Sequence, residues 1–183
     1  FVGEELQYSA GFSFFPAGEA ILTFSADSLD GESVYKLITS VKTNSFLDAF
    51  YVVRDEIQSW LNPENLSLKK TIQTIREGNY HRDHQSMIQG DSIAISGNKR
   101  RDIPGKVYDP VSFVYYLRIQ DLNLGQGYNF FSYDQNKIKE VIVNITAKET
   151  VQVSAGTFNC LKIEPVSGDG NPLLKYNGQM RVW

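Results

Sequence analysis

Asp109-Pro110-Val111-Ser112-Phe113-Val114-Tyr115-Tyr116-Leu117-Arg118 is the stretch that decides the fold of this 183-residue chain, because it reads as a helix among strands. Asp109 suits a cap, and Pro110 suits the first helical position, where its missing N–H loses no intrahelical bond. Val111, Val114, Tyr115 and Arg118 follow at i, i+3, i+4 and i+7, an apolar and aromatic stripe closed by one cation. Such a stripe needs a sheet to lie on, and the flanking sequence supplies one.

Upstream, residues 3–14 and 18–28 read as two strands joined at Phe15-Pro16-Ala17-Gly18, since proline and glycine interrupt two runs rich in aromatic and branched residues. Asp30-Gly31 predicts a hairpin turn into a third strand near 33–43. Asn44 to Asp48 forms a corner, and strands follow over 50–61, 66–77 and 79–88, the last two meeting at Glu77-Gly78-Asn79, with a shorter one near 91–96. Lys99-Arg100-Arg101-Asp102, between Gly97 and Pro104-Gly105, reads as a solvated basic loop.

Downstream of the helix, strands are expected near 127–133, 137–148, 150–154 and 157–166, with Gly156 in the turn between the last two, and a final strand near 173–183. In 137–148, Val141, Val143, Ile145 and Ala147 share one face, while Asn144, Thr146 and Lys148 take the other. One side is buried and one wet, as in antiparallel sheets. About ten strands in local hairpins around one helix near 110–119 predict a mainly β single domain over 1–183. Its expected form is a single strongly curved antiparallel sheet or open β-barrel with the helix packed on it or plugging it, which leaves a groove between helix and sheet.

Composition narrows the function. The formal net charge is −3, which gives no electrostatic footprint for nucleic acid. No apolar run approaches the ~20 residues of a transmembrane helix. Cys160 is the single cysteine, so no intramolecular disulfide or cysteine-based zinc site is expected; in Thr157 to Ile163 it reads as a small hydrophobe on a strand. Gly-x-Ser-x-Gly, HExxH and phosphate-cradling glycine loops are absent, and no catalytic residue, cofactor or metal is assigned.

Three groups carry the remaining chemistry. Tyr80-His81-Arg82-Asp83-His84 places Tyr80, Arg82 and His84 on one strand face and His81 and Asp83 on the other, so the two histidines do not form a metal pair on a flat strand. Asp48, Asp55, Glu77 and Asp83 are the carboxylates for a hydrolase reading, which requires two of them to converge across a cleft; cross-strand ion pairing is the plainer account. Tyr115, Tyr116 and Arg118 on the helix with Tyr80 and Arg82 on a strand are the ligand-binding candidates, with guanidinium groups for an anion or hydroxyl and tyrosines for an apolar or ring surface. Their structural alternative is that the tyrosines are core and the arginines pair with Glu77, Asp83 or Asp121. Asp109, Pro110, Gly78 and Gly156 are expected in structural roles.

Taken together in order, Gly3-Glu4-Glu5-Leu6-Gln7-Tyr8, Phe15 to Ala20, Asn44 to Tyr51, Arg76 to Arg82, the Asp109–Arg118 helix, Thr150-Val151 leading to Ala155-Gly156-Thr157-Phe158-Asn159-Cys160, and Trp183 resemble the bacterial domain-of-unknown-function family 3108. The resemblance implies an exported envelope protein of Gram-negative bacteria, periplasmic or outer-membrane-associated. A chain opening at Phe1 without a methionine fits a processed or trimmed N-terminus and leaves any signal peptide out of view. The resemblance implies that members usually continue past the tryptophan into one or two further strands, so the last strands are expected to be cut off, disordered or supplied by something else, and a missing strand would leave an open edge near Trp183 where a partner can add one.

Three functions are carried forward. The first is a non-catalytic envelope protein that binds an apolar or amphipathic ligand, lipid-like or glycan, or a partner chain in the groove. The second is a hydrolase acting on envelope glycan or lipid, and the third a structural subunit completed by a partner strand.

Overall fold

The computed structural model describes residues 1–12, 15–171 and 180–183. Within them β1 (Glu4–Phe12), β2 (Phe15–Leu29), β3 (Glu32–Thr43), β4 (Arg54–Leu61), β5 (Leu68–Glu77), β6 (Tyr80–Gln89), β7 (Ile93–Ser96) and β8 (Lys99–Asp102) form one sheet. Every strand is antiparallel to the one before it, so this sheet is a meander built from local hairpins. A second sheet has the order β12 (Gly156–Ser167), β11 (Lys137–Val153), β10 (Gly127–Asp134) and β9 (Val107–Tyr108). Two short helices complete the described elements, α1 (Ser45–Asp48) and α2 (Ser112–Leu117).

The chain is mainly β and its large sheet antiparallel, as expected, but the strands divide between two sheets and close no barrel. The division falls at the helix. β9 pairs parallel to β10, through Val107 opposite Phe131 and Tyr108 opposite Ser132, and α2 starts four residues later. That parallel pairing turns the chain out of the meander and sets α2 against the new sheet.

Physical chemistry across the rows of the large sheet explains why the second sheet docks where it does. One row runs Glu4, Phe24, Leu37, Ser59, Thr71 and Ser86 from β1 to β6, and the last five are almost wholly buried. After Glu4 the row is large and apolar at Phe24 and Leu37, then small and hydroxylic from Ser59 to Ser86. Tyr115 of α2 covers the apolar half, stacked on Phe24 at 4.9 Å between ring centroids. Tyr133 of β10 covers the small half, with its hydroxyl donating to Ser86 Oγ at 2.9 Å.

Two apolar clusters result, and α2 takes part in both. Phe24, Leu37, Leu61, Leu68, Val107, Tyr115 and Tyr133 belong to the first, with Val111 packed against it. Phe113, Leu117, Tyr108, Phe130, Val141, Val143 and Ile145 belong to the second. Tyr116 touches both. The helix is therefore a wedge with two buried faces, and a one-stripe reading of Val111, Val114, Tyr115 and Arg118 accounts for only one of them.

Four local expectations change. Phe15 to Gly18 lies inside β2 rather than in a turn: Phe12 opposes Phe15, so the connection falls at residues 13–14, outside the described residues. Pro16 is tolerated because Ala17 is an extra residue in a bulge opposite Ala10 and Gly11. Lys99–Asp102 is edge strand β8, not a loop; its exposed charges blunt that edge. The expected strands 137–148 and 150–154 are the single strand β11, which absorbs its change of register in a bulge at Thr146. The Asn44–Asp48 corner contains α1, capped by Asn44 Oδ1 accepting from Leu47 N at 2.9 Å. Most of the expected strand 173–183 lies outside the described residues, within which Val182 bridges Ile163 of β12.

Candidate functional site

α2 is held over the second sheet by its first turn. Asp109 Oδ1 accepts from Val111 N and Ser112 N, both at 2.9 Å, while Ser112 Oγ accepts from Asp109 N at 3.0 Å. Asp109 thus caps as expected, although the regular helix begins at Ser112, two residues after Pro110. Phe113 then stacks on Phe130 of β10, and Tyr108 packs on Tyr116. The result is a groove of about 880 Å³ between α2, β1–β2 and one face of the second sheet. That volume falls within the range of about 300–1,000 Å³ usual for small-molecule sites.

The groove has two chemically different ends. Phe130, Val141 and Val143 form its floor, with Val114 and Leu117 above them and Leu161, Ile163 and Val182 along β12 and the C-terminal residues. Towards the β10–β11 turn the same face continues as Ser132 and Lys139, then Asp134 and Lys137, which are cross-strand pairs. Leu6, Tyr8 and Leu22 of the large sheet close the opposite wall. Cys160 also lines the groove, half-buried.

Tyr115 and Arg118 line this groove, whereas Tyr116, Tyr80 and Arg82 do not. Arg118 is committed to Glu4: Nη1 donates to Oε2 and Nη2 to Oε1, both at 2.7 Å. Its guanidinium also lies 4.3 Å from the Phe1 ring centroid and 5.0 Å from that of Tyr115. The hydrogen-bonded guanidinium holds the Glu4 carboxyl below the usual carboxylate range despite partial burial. Burial, helped by Glu4, pushes the Tyr115 phenol well above its usual range, so it stays neutral. Arg118 therefore clamps β1 to the helix, a partner that sequence reasoning did not assign because Glu4 lies 114 residues away.

Arg82 sits in a separate polar seam between the sheets. Tyr80 is half exposed, while Arg82 Nη1 donates to Gln135 Oε1 in the β10–β11 turn at 2.5 Å. Beside it, Gln73 Nε2 donates to Asp134 Oδ1 at 2.9 Å and Arg101 Nη1 to Asn136 O at 2.6 Å. His84 Nε2 lies 2.9 Å from Ser86 Oγ, the acceptor of Tyr133. Burial and the Arg82 charge lower the His84 pKa, against the opposing pull of Asp134. This seam fastens the hairpin to the large sheet.

Three of the four carboxylates expected for a hydrolase, Asp48, Asp55 and Asp83, have local partners. Asp48 takes Arg54 at 2.6 Å and Thr43, Asp55 accepts from Arg76 N, and Asp83 takes Arg76 Nη2 at 2.8 and 3.0 Å. Among the described residues no group of histidine, cysteine and acidic side chains is arranged to hold a metal ion. Gly78 has φ +56, and an added Cβ would meet the Tyr51 ring at 2.6 Å; Gly156, with φ +140, opens β12.

Residues 7–183 match the profile of a family described as "Protein of unknown function (DUF3108)". The chain belongs to this family. The match spans both sheets, α2 and the groove, so the family's sequence pattern covers the whole site apart from Leu6 and the Glu4 end of the clamp. Among curated proteins and among solved structures, nothing matches the chain. No helix among the described residues is long and apolar enough to cross a membrane.

Lys137 and Lys139 are the cationic groove residues that sequence reasoning missed, along with most of the apolar lining. The signal was present: both have the same parity on β11 as Val141 and Val143, so they face the same way.

Proposed function

We propose that this is a non-catalytic protein of the Gram-negative cell envelope that holds an apolar or amphipathic ligand in the groove between α2 and the second sheet. The observation that carries this reading is a groove of about 880 Å³ whose floor is Phe130, Val141 and Val143 and whose lining, among the described residues, includes one side-chain carboxylate, Asp134, and no histidine. Apolar walls with a few polar groups at one end suit binding and orientation of an amphipathic molecule. A hydrolase needs two carboxylates across the scissile bond. Asp48, Asp55 and Asp83 are instead engaged with arginines or backbone N–H groups. The envelope setting is supported by the family resemblance, in which members look like exported proteins.

Titration with the apolar fluorophore N-phenyl-1-naphthylamine tests the reading. Saturable binding is expected, and Val114→Trp, which adds bulk to the half-buried face of α2 lining the groove, is expected to abolish it while the circular dichroism spectrum stays unchanged. A folded Val114→Trp protein that binds the dye as well as wild type would place the site elsewhere.

A further inference from the structure

Building on the groove reading, we propose that the occupant is a long-chain carboxylate, a single-chain anionic amphiphile whose head lies at Lys137 and Lys139 and whose chain runs from there between the outer face of α2 and the Leu161–Pro165 part of β12. The argument is one of charge and direction along a single strand face. Lys137, Lys139, Val141 and Val143 follow one another at period two on the groove side of β11. The face thus passes from two ammonium groups to two valines over six residues, roughly 20 Å at the rise of an antiparallel strand. That is the length and polarity of an acyl chain with an anionic head.

The other charged groups lining the groove are already engaged. Arg118 is bound by both oxygens of Glu4, and Asp134 accepts from Gln73. Lys137 and Lys139 have no ion pair among the described residues, although each stands opposite β10, at Asp134 and Ser132 respectively. Both ammonium groups are solvent-exposed, so they meet a carboxylate at the groove mouth without first being stripped of water. At the apolar end Phe130, Val141 and Val143 are themselves covered by Phe113 and Leu117, and the surface left open to methylene groups is the half-buried Val114, Leu161, Ile163, Pro165 and Val182. A neutral head meets hydrogen-bonding groups there but no opposite charge to pair with, and a cationic head meets two like charges against the single Asp134 carboxylate.

Isothermal titration with dodecanoate, its neutral glycerol ester and dodecyltrimethylammonium tests this, using wild type, Lys137→Gln/Lys139→Gln, and Lys148→Gln as a control lysine on β11 outside the groove lining. Two exposed charge-assisted contacts correspond to about a tenfold preference. Dodecanoate is expected to bind about tenfold more tightly than the ester to wild type and Lys148→Gln, with the advantage shrinking in salt, and equally with it to the double variant. Equal binding of dodecanoate and ester to wild type overturns the carboxylate assignment while leaving the groove reading intact. A preference that survives in the double variant overturns the lysine assignment. Binding of none of the three overturns both readings together.

Discussion

If Arg118 is a clamp, replacing it should loosen β1 rather than abolish ligand binding. Arg118→Met keeps much of the side chain's bulk and removes two hydrogen bonds of 2.7 Å to Glu4. Hydrogen bonds to charged groups contribute about 1.5–3 kcal/mol when shielded from solvent. The side chains here are 38% and 22% exposed, so screening reduces the pair to about 1 kcal/mol. Losing the guanidinium over Phe1 and Tyr115 costs about 0.5–1 kcal/mol more. The variant should therefore lose about 1.5–2 kcal/mol, which for a chain of this size is a Tm lower by about 3–8 °C. Glu4→Gln should lose about 1 kcal/mol, and urea unfolding of both single variants and the double variant should give a coupling energy near 1 kcal/mol. The Glu4 pKa is lowered in the folded state, so its contribution is present above its unfolded value and lost as pH falls through the folded one. Wild type should then lose more stability than Glu4→Gln between about pH 5 and pH 3. A coupling energy below about 0.3 kcal/mol, or loss of dye binding with unchanged stability, would refute the reasoning and return Arg118 to the ligand.

Gly18→Ala should be among the most damaging single-methyl changes, because the added Cβ would lie 2.1 Å from Lys42 O on β3; a loss of more than about 2 kcal/mol in urea unfolding, or failure to fold, is expected, and a neutral result would mean that β2 and β3 separate there. Tyr133→Phe removes the hydroxyl bonded to Ser86 but leaves Ser86 its His84 partner, so a loss of about 0.5–1.5 kcal/mol is expected by chemical denaturation. A much larger value would point to His84 losing its place as well. His84 has a lowered pKa when folded, so the stability it contributes is full above its unfolded value near 6.5 and declines as pH falls below it. His84→Gln should flatten the stability profile between about pH 7 and pH 5, and an unchanged slope would assign it to other groups.

The legibility of this chain follows the range of the interactions. Asp30-Gly31, the period-two alternation of 33–43 and 137–148, and Asp109 before a 3.6-period stripe are local statements, and the first sheet is a meander in which every strand pairs with its sequence neighbour. Pairing within hairpins was therefore open to reading from sequence. Lys99–Asp102 misled because charge usually marks a loop, whereas a terminal strand tolerates charge on its free edge. Phe15 to Gly18 misled because a bulge can hold a proline and because Gly18 serves the close approach of β3 instead of a turn.

By itself the sequence determined a mainly β domain of the family it resembles, one helix with an Asp109 cap, and the face of β11 that carries Val141 and Val143. Tertiary structure alone decided that the strands form two sheets, that α2 wedges between them, and that Arg118 meets Glu4 while Arg82 meets Gln135. The physical reason is that alternation and capping depend on neighbours a few residues away. The choice of partner for Tyr133 or Arg118 depends on which sheet row is apolar and which is small and hydroxylic, and that row is assembled from six strands spread over more than eighty residues.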